Sequence, residues 1–433
     1  MPRFQWLCIS IIALLIVTQW APAAATNPIV SETISQPPNA PFLGNYIEVW
    51  QDAIGNTNQE LIYNPVRDEF LAVWTSNQNA STQDAWARRI SASGALLDGF
   101  AVASFGGLKF IEADVAYNPT SRQYLVVLTS RISDSDYDIV FVYFDDDGTD
   151  KSGLNLLDTD MRIQQHPSVT YNSIRQEYLV VYENKKSDGY IETVARRIRG
   201  SDCSPIGTGR TVIASVGTHQ YRHTPAVAYN PARDNYLVAY MYEYDGSPLQ
   251  AYIANKTVSY DLATVGPEVN LNSVFGMGVD VALSNDQYLV SWGPPSYEIN
   301  ARRVNYDGQP FGAGGGFRLT LNSCFDCIAI LSKIGFTQNM GYWIVWERFL
   351  TVSAREADIL GNIVFPGRDQ AVGPEFIIED SVNYQGAPAI ACRPYGPCLV
   401  TWSNNLDNYP LGDTDIRGRL LNLQSVYLPA IQK

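Results

Sequence analysis

The sequence is poor in charge, in histidine and in long apolar segments. Charged residues make up 17% of its 433 residues, and it has 3 His and 6 Cys. Basic residues are the scarcer charged class, with 30 Lys plus Arg against 44 Asp plus Glu, which gives a net charge of −14. This charge argues against binding to nucleic acid or to anionic lipid, because both need a basic surface. So few His also limit His-rich metal sites.

Apolar and aromatic residues, in contrast, are plentiful. Hydrophobic residues make up 46% of the chain, which contains 26 Tyr and 9 Trp. This composition differs from that of a disordered chain and is sufficient for a sizeable buried core. Length alone allows either several domains or one large β architecture.

The N-terminal segment has the order of a secretory signal peptide. Arg3 precedes a mostly apolar run at residues 7–17, and small residues follow at Ala23, Ala24 and Ala25. The apolar run is shorter than the ~20 residues that a membrane helix needs, and no later segment reaches that length. We therefore expect residues 1–25 to be removed and the protein to be secreted or held at the cell surface, with no membrane span.

Export makes disulfides the default interpretation of cysteines that lie close in sequence. Cys392 and Cys398 flank a predicted hairpin turn, so we expect a disulfide between them. Cys324 and Cys327 are a second candidate pair, with a redox motif or half of a zinc site as alternatives. Cys203 lacks a close partner in sequence and is expected to be buried.

One segment recurs along the chain. Four copies share a Tyr-Asn turn, with Pro after the Asn in three of them, and then an apolar run of the type Tyr-Leu-Val-Val-Tyr; they lie at residues 61–74, 115–128, 169–182 and 227–240. Shorter or degraded copies lie at 281–292, 334–346 and 390–402. The residue that opens the second apolar run recurs every 52 to 58 residues, as Phe70, Tyr124, Tyr178, Tyr236, Tyr288, Tyr342 and Cys398. Seven copies at this period favour one repeat architecture over unrelated domains.

Each copy predicts a small antiparallel sheet. The two apolar runs read as strands, a third strand follows at segments such as Ala-Arg-Arg-Ile, and a looser fourth strand comes after a Gly-bearing turn. The second strand is apolar at every position, so both of its faces must be covered. We therefore predict an all-β fold, a seven-bladed β-propeller of four-stranded antiparallel blades.

The ends of the repeat region suggest how the ring closes. The seventh copy reaches its third strand at residues 416–421, and the strand-like segment 46–50 precedes the first copy. We expect these two segments to pair, so that the N-terminal strand completes the last blade. The predicted organisation is a leader at residues 26–45, the propeller at 46–423 and a C-terminal tail at 424–433.

The repeated pattern Ala-Tyr-Asn-Pro, Tyr-Leu-Val-Val-Tyr and Ala-Arg-Arg-Ile resembles the repeats of uncharacterised secreted bacterial β-propeller proteins. The resemblance covers nearly all of the chain that follows the signal peptide. Because its motifs belong to the scaffold, it implies a fold and export but no activity.

Residues that recur in most copies are expected to serve packing, so function should lie where the copies differ. The Arg-Arg pairs are accordingly interpreted as structural partners of acids. The most varied segments are loops on one face, rich in Tyr and acids, which suit a neutral or cationic ligand. The predicted ligand-binding residues are Tyr221, Tyr242, Tyr244, Asp245, Asp407, Tyr409 and Asp413.

Acidic clusters also raise the possibility of Ca²⁺, which prefers oxygen ligands. The candidate is the cluster of Asp134, Asp136 and Asp138. His219 and His223 could hold a transition metal if the loop brought both rings together, but a third ligand is missing nearby. No other cofactor is indicated.

The sequence favours a binding or adhesion module whose ligand is a carbohydrate or a surface protein. The alternative is a propeller glycoside hydrolase or lyase that uses loop carboxylates. A carboxyl with a raised pKa beside a second acid in an axial pocket would favour the enzyme. A shallow face lined with Tyr would favour binding without catalysis.

Overall fold

The computed structural model describes most of the chain from residue 42 to residue 422. The described ranges are 42–51, 55–77, 82–149, 151–246, 250–272, 276–293, 298–312, 314–320, 328–349, 357–381, 384–405 and 414–422. Within these ranges every regular element is a β-strand, so the prediction of an all-β fold is confirmed.

The strands are numbered in chain order. They are β1 (Phe42–Leu43), β2 (Ile47–Trp50), β3 (Gly55–Asn64), β4 (Glu69–Asn77), β5 (Gln83–Ser91), β6 (Leu96–Ala103), β7 (Lys109–Asn118), β8 (Gln123–Ser133), β9 (Asp136–Asp145), β10 (Asn155–Asp158), β11 (Gln164–Asn172), β12 (Glu177–Lys185), β13 (Ile191–Arg199), β14 (Pro205–Ala214) and β15 (Gln220–Asn230). The remainder are β16 (Asn235–Tyr244), β17 (Gln250–Ser259), β18 (Val269–Asn270), β19 (Met277–Leu283), β20 (Tyr288–Gly293), β21 (Asn300–Val304), β22 (Phe317–Arg318), β23 (Ile328–Thr337), β24 (Gly341–Phe349), β25 (Ala357–Val364), β26 (Phe376–Glu379), β27 (Tyr384–Cys392), β28 (Cys398–Asn405) and β29 (Thr414–Asn422).

Consecutive strands pair antiparallel in groups of four. The groups are β3 to β6, β7 to β10, β11 to β14, β15 to β18, β19 to β22 and β23 to β26, and the last group joins β27, β28 and β29 to β2. The first strand of each group contacts the first strand of the next, and β27 contacts β3. The first strands therefore surround a common axis.

Hydrogen bonding between groups is uneven. The start of the third strand pairs with the start of the next group's first strand at several places, as where Gln83 lies opposite Lys109. These links join the strands into three sheets of 17, 8 and 4 strands. Strand pairing by itself therefore does not divide the molecule into separate blades.

The N-terminal strand lies where the repeat pattern predicted it. Strand β2 pairs antiparallel with β29, with Ile47 opposite Gly418, and the predicted pairing of residues 46–50 with 416–421 is present. The Trp50 ring packs against Trp74 and Trp86, at a centroid distance of 5.3 Å in each case. Strand β1 also pairs with β29, so ordered pairing begins inside the range assigned to the leader.

The second strands are buried on both faces, as their continuous apolar sequence predicted. In β12, Tyr178, Val180 and Tyr182 pack into one hydrophobic cluster, whereas Leu179 and Val181 pack into the next. All five side chains are fully buried. One strand therefore connects two neighbouring cores, and each group is held between its two neighbours.

The repeated Asn-Pro turns link one group to the next. The Asn64 side chain accepts the backbone N–H groups of Val66 and Arg67 and donates to the Tyr124 hydroxyl of the following group, at 2.9 Å. Asn172 makes the equivalent bond to Tyr236, at 3.0 Å. The recurrence of Asn and Tyr in the repeats is therefore explained by packing between groups.

The cysteine predictions have three outcomes. Cys392 and Cys398 form the expected disulfide across the β27–β28 hairpin. Closing so short a loop contributes only ~2 kcal/mol in the chain-entropy picture. Cys203 is buried and free, as expected. The other predicted pair, Cys324 and Cys327, lies outside the described residues.

Candidate functional site

The first strands enclose a cavity of about 360 Å³ along their common axis. This axial cavity is lined by residues 58–61, 112–114, 166–169, 224–227, 278–280, 331–334, 387, 388 and 390. Every first strand, from β3 to β27, contributes to its wall. Because the first strands of all the groups meet here, the cavity brings together residues that differ between copies.

Most first strands bulge where they pass the axis. The pairing register shifts between Gln165 and Ser168, and it shifts at the matching place in the other first strands. The bulges hold non-glycine residues at positive φ, with 52° at His166, 45° at Thr224 and 53° at Leu331. A β-branched residue such as Thr224 rarely adopts this conformation. The bulges therefore need partners that hold them.

Buried carboxylates from neighbouring groups supply those partners. Glu112 accepts the backbone N–H of His166, and Glu183 accepts that of Thr224, each at 2.7 Å. Glu347 accepts the N–H of Ala387 at 2.9 Å. These hydrogen bonds fix the distorted backbone that forms the wall of the cavity.

Two aspartates occupy equivalent positions in β7 and β19. Asp114 accepts the backbone N–H of Val169 in the next first strand at 2.7 Å, and Asp280 accepts that of Ile334 at 2.7 Å. Each also accepts the N–H of the residue that follows it. Both line the axial cavity and are called the axial carboxyls below. An ionised carboxylate has about four acceptor sites, so each retains capacity for a ligand.

The axial carboxyls have different pKa values. Burial raises the pKa of Asp114 to about 7, and the neighbouring charge of Glu60 adds to this effect. Burial raises the pKa of Asp280 to only about 6, because Lys333 is the largest opposing influence there. Lys333 is ion-paired with Glu60. Both aspartates therefore keep their protons to a higher pH than an ordinary aspartate.

Lys333 remains charged in this setting. Burial lowers the pKa of its ammonium group, but Glu60, Asp280 and Asp114 outweigh that effect and hold the pKa above its usual value. A charged ammonium is not a nucleophile. Its role in the axial cavity is therefore electrostatic.

A second charged network lies beside the axial carboxyls. His166 places Nε2 3.0 Å from a Glu112 oxygen and Nδ1 2.9 Å from a Glu183 oxygen. Burial lowers the pKa of His166, yet the two carboxylates raise it to about 10, so the ring is positively charged at neutral pH. His223 lies 3.7 Å from Glu183 and 3.6 Å from Glu243. This network joins β7, β11, β12, β15 and β16.

The strand ends next to this network carry the rim cluster, which consists of Tyr190, His219, Tyr221, Tyr244 and Asp245. The Tyr221 hydroxyl donates to Asp245 at 3.0 Å, and His219 Nδ1 lies 2.7 Å from the other Asp245 oxygen. The Tyr190 and Tyr221 ring centroids are 5.4 Å apart. The Tyr244 ring lies 6.3 Å from the His219 ring. Four of these residues are supplied by the β15–β16 hairpin and its flanks.

The structure thus brings together only part of the predicted ligand site. Tyr221, Tyr244 and Asp245 are linked through His219 and the Asp245 carboxylate. Tyr242 shares the face of β16 that carries Tyr244, but its ring stacks on Tyr252, with centroids 4.3 Å apart. The predicted residues Asp407, Tyr409 and Asp413 lie outside the described residues.

The candidate metal residues do not come together in the described part of the chain, and calcium binding stays a prediction. Asp134, Asp136 and Asp138 do not form a group that could hold a metal ion, and no other described group of three or more His, Cys, Asp or Glu does so. The Asp134 side chain is 94% exposed and pairs with Arg131. His219 and His223 have separate carboxylate partners, so their rings do not converge on one ion.

The sequence-based prediction did not include the axial residues, because it placed the site in the variable loops. Counted three residues before the Tyr of Tyr-Asn-Pro or its counterpart, the copies carry Glu60, Asp114, Ser168, Ala226, Asp280, Lys333 and Ala389. This position varies strongly within an otherwise repeated strand. A comparison of the copies along their first strands, in addition to their loops, would have identified these residues.

No helix in the described part of the chain has the length and apolar character of a membrane span. A comparison with protein-family models gives no match, and a comparison with curated proteins gives none either. Several solved structures, however, have a fold similar to that of this chain.

Three such structures illustrate the likeness. A protein of unknown function from Dyadobacter fermentans DSM 18053 is 11% identical, with a TM-score of 0.51 over 90% of this chain and 100% of that chain. An α-L-arabinanase from Penicillium chrysogenum, solved with arabinobiose, is 13% identical, with a TM-score of 0.51 over 89% of this chain and 99% of that chain. The β-propeller domain of the Trilobed protease from Pyrococcus furiosus is 9% identical, with a TM-score of 0.47 over 86% and 99%. At these identities the likeness concerns the fold alone, and with strand groups arranged around one axial cavity the chain is a β-propeller.

Proposed function

We propose that the chain is a seven-bladed propeller glycoside hydrolase that uses the axial carboxyls. One observation carries the proposal: two equivalent aspartates line one cavity, and the pKa is about 7 for Asp114 and about 6 for Asp280. Glycoside hydrolysis uses two carboxyl groups, one protonated and one ionised. Environments that separate two pKa values assign those roles.

Asp114 is the proposed general acid. Near neutral pH a substantial fraction of this carboxyl is protonated, so it can give a proton to the oxygen of the leaving group. Asp280 ionises at lower pH and is the proposed base or nucleophile on the other side of the sugar. The backbone N–H of Ile334 stabilises its charged form.

The Glu60–Lys333 ion pair is the proposed cause of this asymmetry. The Glu60 charge favours the proton on Asp114, and the Lys333 charge favours ionisation of Asp280. Neither residue needs to touch the substrate for this effect. Both are therefore positioning residues in the proposal.

The fold comparison supports a carbohydrate substrate without naming it. The arabinanase from Penicillium chrysogenum was solved with arabinobiose and has a similar fold over nearly its whole length. The excess of acidic groups in the axial cavity favours a neutral sugar over an anionic one. The predicted export fits this proposal, because polysaccharides are met outside the cell.

The test is hydrolysis of neutral polysaccharides by the wild type and by Asp114→Asn and Asp280→Asn. Each substitution should lower kcat/KM by about 10²- to 10⁴-fold, the range for loss of general acid–base catalysis. The wild-type pH profile should be bell-shaped, falling below about 6 as Asp280 is protonated and above about 7 as Asp114 loses its proton.

Asp138→Asn is the matched control. Burial raises the pKa of Asp138 to about 6 as well, but this carboxyl belongs to β9 and is not among the residues that line the axial cavity. The variant should keep its activity. If it loses as much activity as Asp114→Asn while remaining folded, a raised pKa does not identify the catalytic pair.

The second candidate is the binding or adhesion module that the sequence favoured, with a carbohydrate or a surface protein as ligand. The rim cluster is the observation in its favour, because partly exposed aromatic rings beside hydrogen-bonding groups suit such ligands. A wild-type protein that binds polysaccharide in gel retardation, but hydrolyses none, would select this candidate.

A further inference from the structure

The two sides of the axial cavity differ in the size of their side chains. Strands β11 and β15 lie between β7, which carries Asp114, and β19, which carries Asp280. At the equivalent position β11 has Ser168 and β15 has Ala226. The opposite side instead holds the Lys333–Glu60 pair. Space for a ligand between the axial carboxyls is therefore available in front of Ser168 and Ala226.

The rim cluster stands over this same sector. Tyr221 belongs to β15, and Tyr190 immediately precedes β13, whose first residue, Ile191, pairs with Tyr221. The third strand of one group and the first strand of the next thus hold the two rings side by side. Their position follows from the strands and not from a long loop.

A continuous set of contacts joins the rim cluster to the cavity. The Tyr221 ring stacks on His223 with centroids 5.6 Å apart and planes 8° apart. His223 lies 3.7 Å from Glu183, which lies 2.9 Å from His166 in the cavity wall. Tyr221 is three residues before the lining residue Thr224, roughly 10 Å at ~3.3 Å per residue. A chain of linked sugar units spans such a distance, whereas a single unit does not.

We propose that the rim cluster is a subsite for sugar units that follow the unit held between the axial carboxyls. This inference rests on the proposed function and sharpens its substrate to a neutral oligosaccharide or polysaccharide chain. The rings of Tyr190 and Tyr221 offer stacking surfaces, and Asp245 and His219 offer partners for hydroxyl groups. An anionic chain would meet the carboxylates of the same sector.

The experiment compares long and short substrates. Arabinan, xylan and galactan are tested with the wild type, together with their nitrophenyl monoglycosides, which occupy only the axial cavity. In Tyr221→Ala, kcat/KM for the hydrolysed polysaccharide should fall about tenfold, while that for the monoglycoside should not change. Tyr221→Phe keeps the ring and should retain most activity. Tyr190→Ala should repeat the result if Tyr221→Ala does not fold.

Tyr395→Ala is the control, because this ring is 78% exposed in the turn between β27 and β28, at the opposite end of the strands. It should leave both activities unchanged. If Tyr221→Ala lowered kcat/KM equally on both substrates, or did not lower it on the polysaccharide, the proposed subsite would be wrong.

The two proposals fail in different ways. If the wild type hydrolyses nothing, the hydrolase proposal fails, and the subsite is tested by retardation in gels that contain each polysaccharide. Retardation that Tyr221→Ala abolishes and Tyr395→Ala preserves supports the subsite, and absence of retardation refutes it. Hydrolysis of a uronic acid polymer in preference to the neutral chains would refute the neutral substrate and leave the hydrolase intact.

Discussion

Asp146, at the turn end of the strands, and Asp114, at the axis, have opposite pKa shifts. Burial alone would raise the pKa of Asp146, but Arg122, Arg67 and the Tyr117 hydroxyl hold it below its usual value. The Arg67 and Arg122 contacts are 2.6 and 2.9 Å long. Asp114, in contrast, has a pKa of about 7 because burial and the Glu60 charge outweigh the lowering by Lys333 and by two backbone N–H groups.

The contrast separates scaffold from site. Turn-end acids meet arginines at places where most copies keep the same pattern, so their charge stabilises the fold. At the axis the copies differ, and the carboxyls there are held in an environment that disfavours their charge. Groups whose environment lowers the stability of the fold in this way are common at functional sites.

Removal of the N-terminal strands should have the largest effect on the scaffold. Deleting residues 42–51 removes β1 and β2, takes the fully buried Val49 and the partly buried Trp50 from the core, and exposes the edge of β29. An unpaired edge promotes aggregation. We expect loss of cooperative melting or aggregation, measured by calorimetry and light scattering. A truncated protein that melts like the full chain would show that β2 is dispensable.

A smaller loss is expected from one buried pair of the repeated Ala-Arg-Arg strand. Arg89 binds Glu69 through two hydrogen bonds of 2.8 and 3.0 Å, and both side chains are buried. Glu69→Ala leaves the guanidinium without its partner and should lower the free energy of unfolding by about 3 kcal/mol, measured with urea. Activity should not change.

Asp188→Ala provides the comparison for Glu69→Ala. Asp188 also binds a basic residue, Lys186, at 3.0 Å, but its side chain is 46% exposed. Exposed pairs contribute little, so no measurable change in stability is expected. Similar losses in both variants would mean that burial does not set the strength of these pairs.

The axial region should show the opposite dependence of stability on pH. The pKa of Asp114 is about 7 in the folded protein and 3.8 without burial, so the folded state binds more protons between these values. The wild type therefore loses stability from this group as pH rises from about 4 to about 7. Asp114→Asn should remove that slope from the urea unfolding free energy.

Asp146→Asn is the opposite case. A pKa below 3.8 gives stability that is present above that pH and is lost as pH falls further. The free energy of unfolding of this variant should therefore be lower than that of the wild type at neutral pH and similar to it in acid. If both variants change the slope in the same direction, the contrast between the two regions is wrong.

Local sequence patterns were sufficient for much of the scaffold. Repeated apolar runs and turn residues predicted the strands, and the missing fourth strand of the last copy predicted the pairing of β2 with β29. The hairpin between Cys392 and Cys398 predicted the disulfide. Repetition predicted that the Arg-Arg pairs are structural partners of acids, and Arg89 and Arg197 indeed pair with Glu69 and Glu177. Each of these features depends on residues close in sequence or on a pattern repeated many times.

The candidate site was decided by the tertiary structure. Glu60, Asp114, Asp280 and Lys333 come from four different first strands, each more than 50 residues from the next, and only ring formation brings them together. The bulges shift the strand register by a residue, so simple alternation does not tell which side chains face the axis. The pKa differences follow from burial and from charges across the cavity, and both exist only once the strands have packed around the axis.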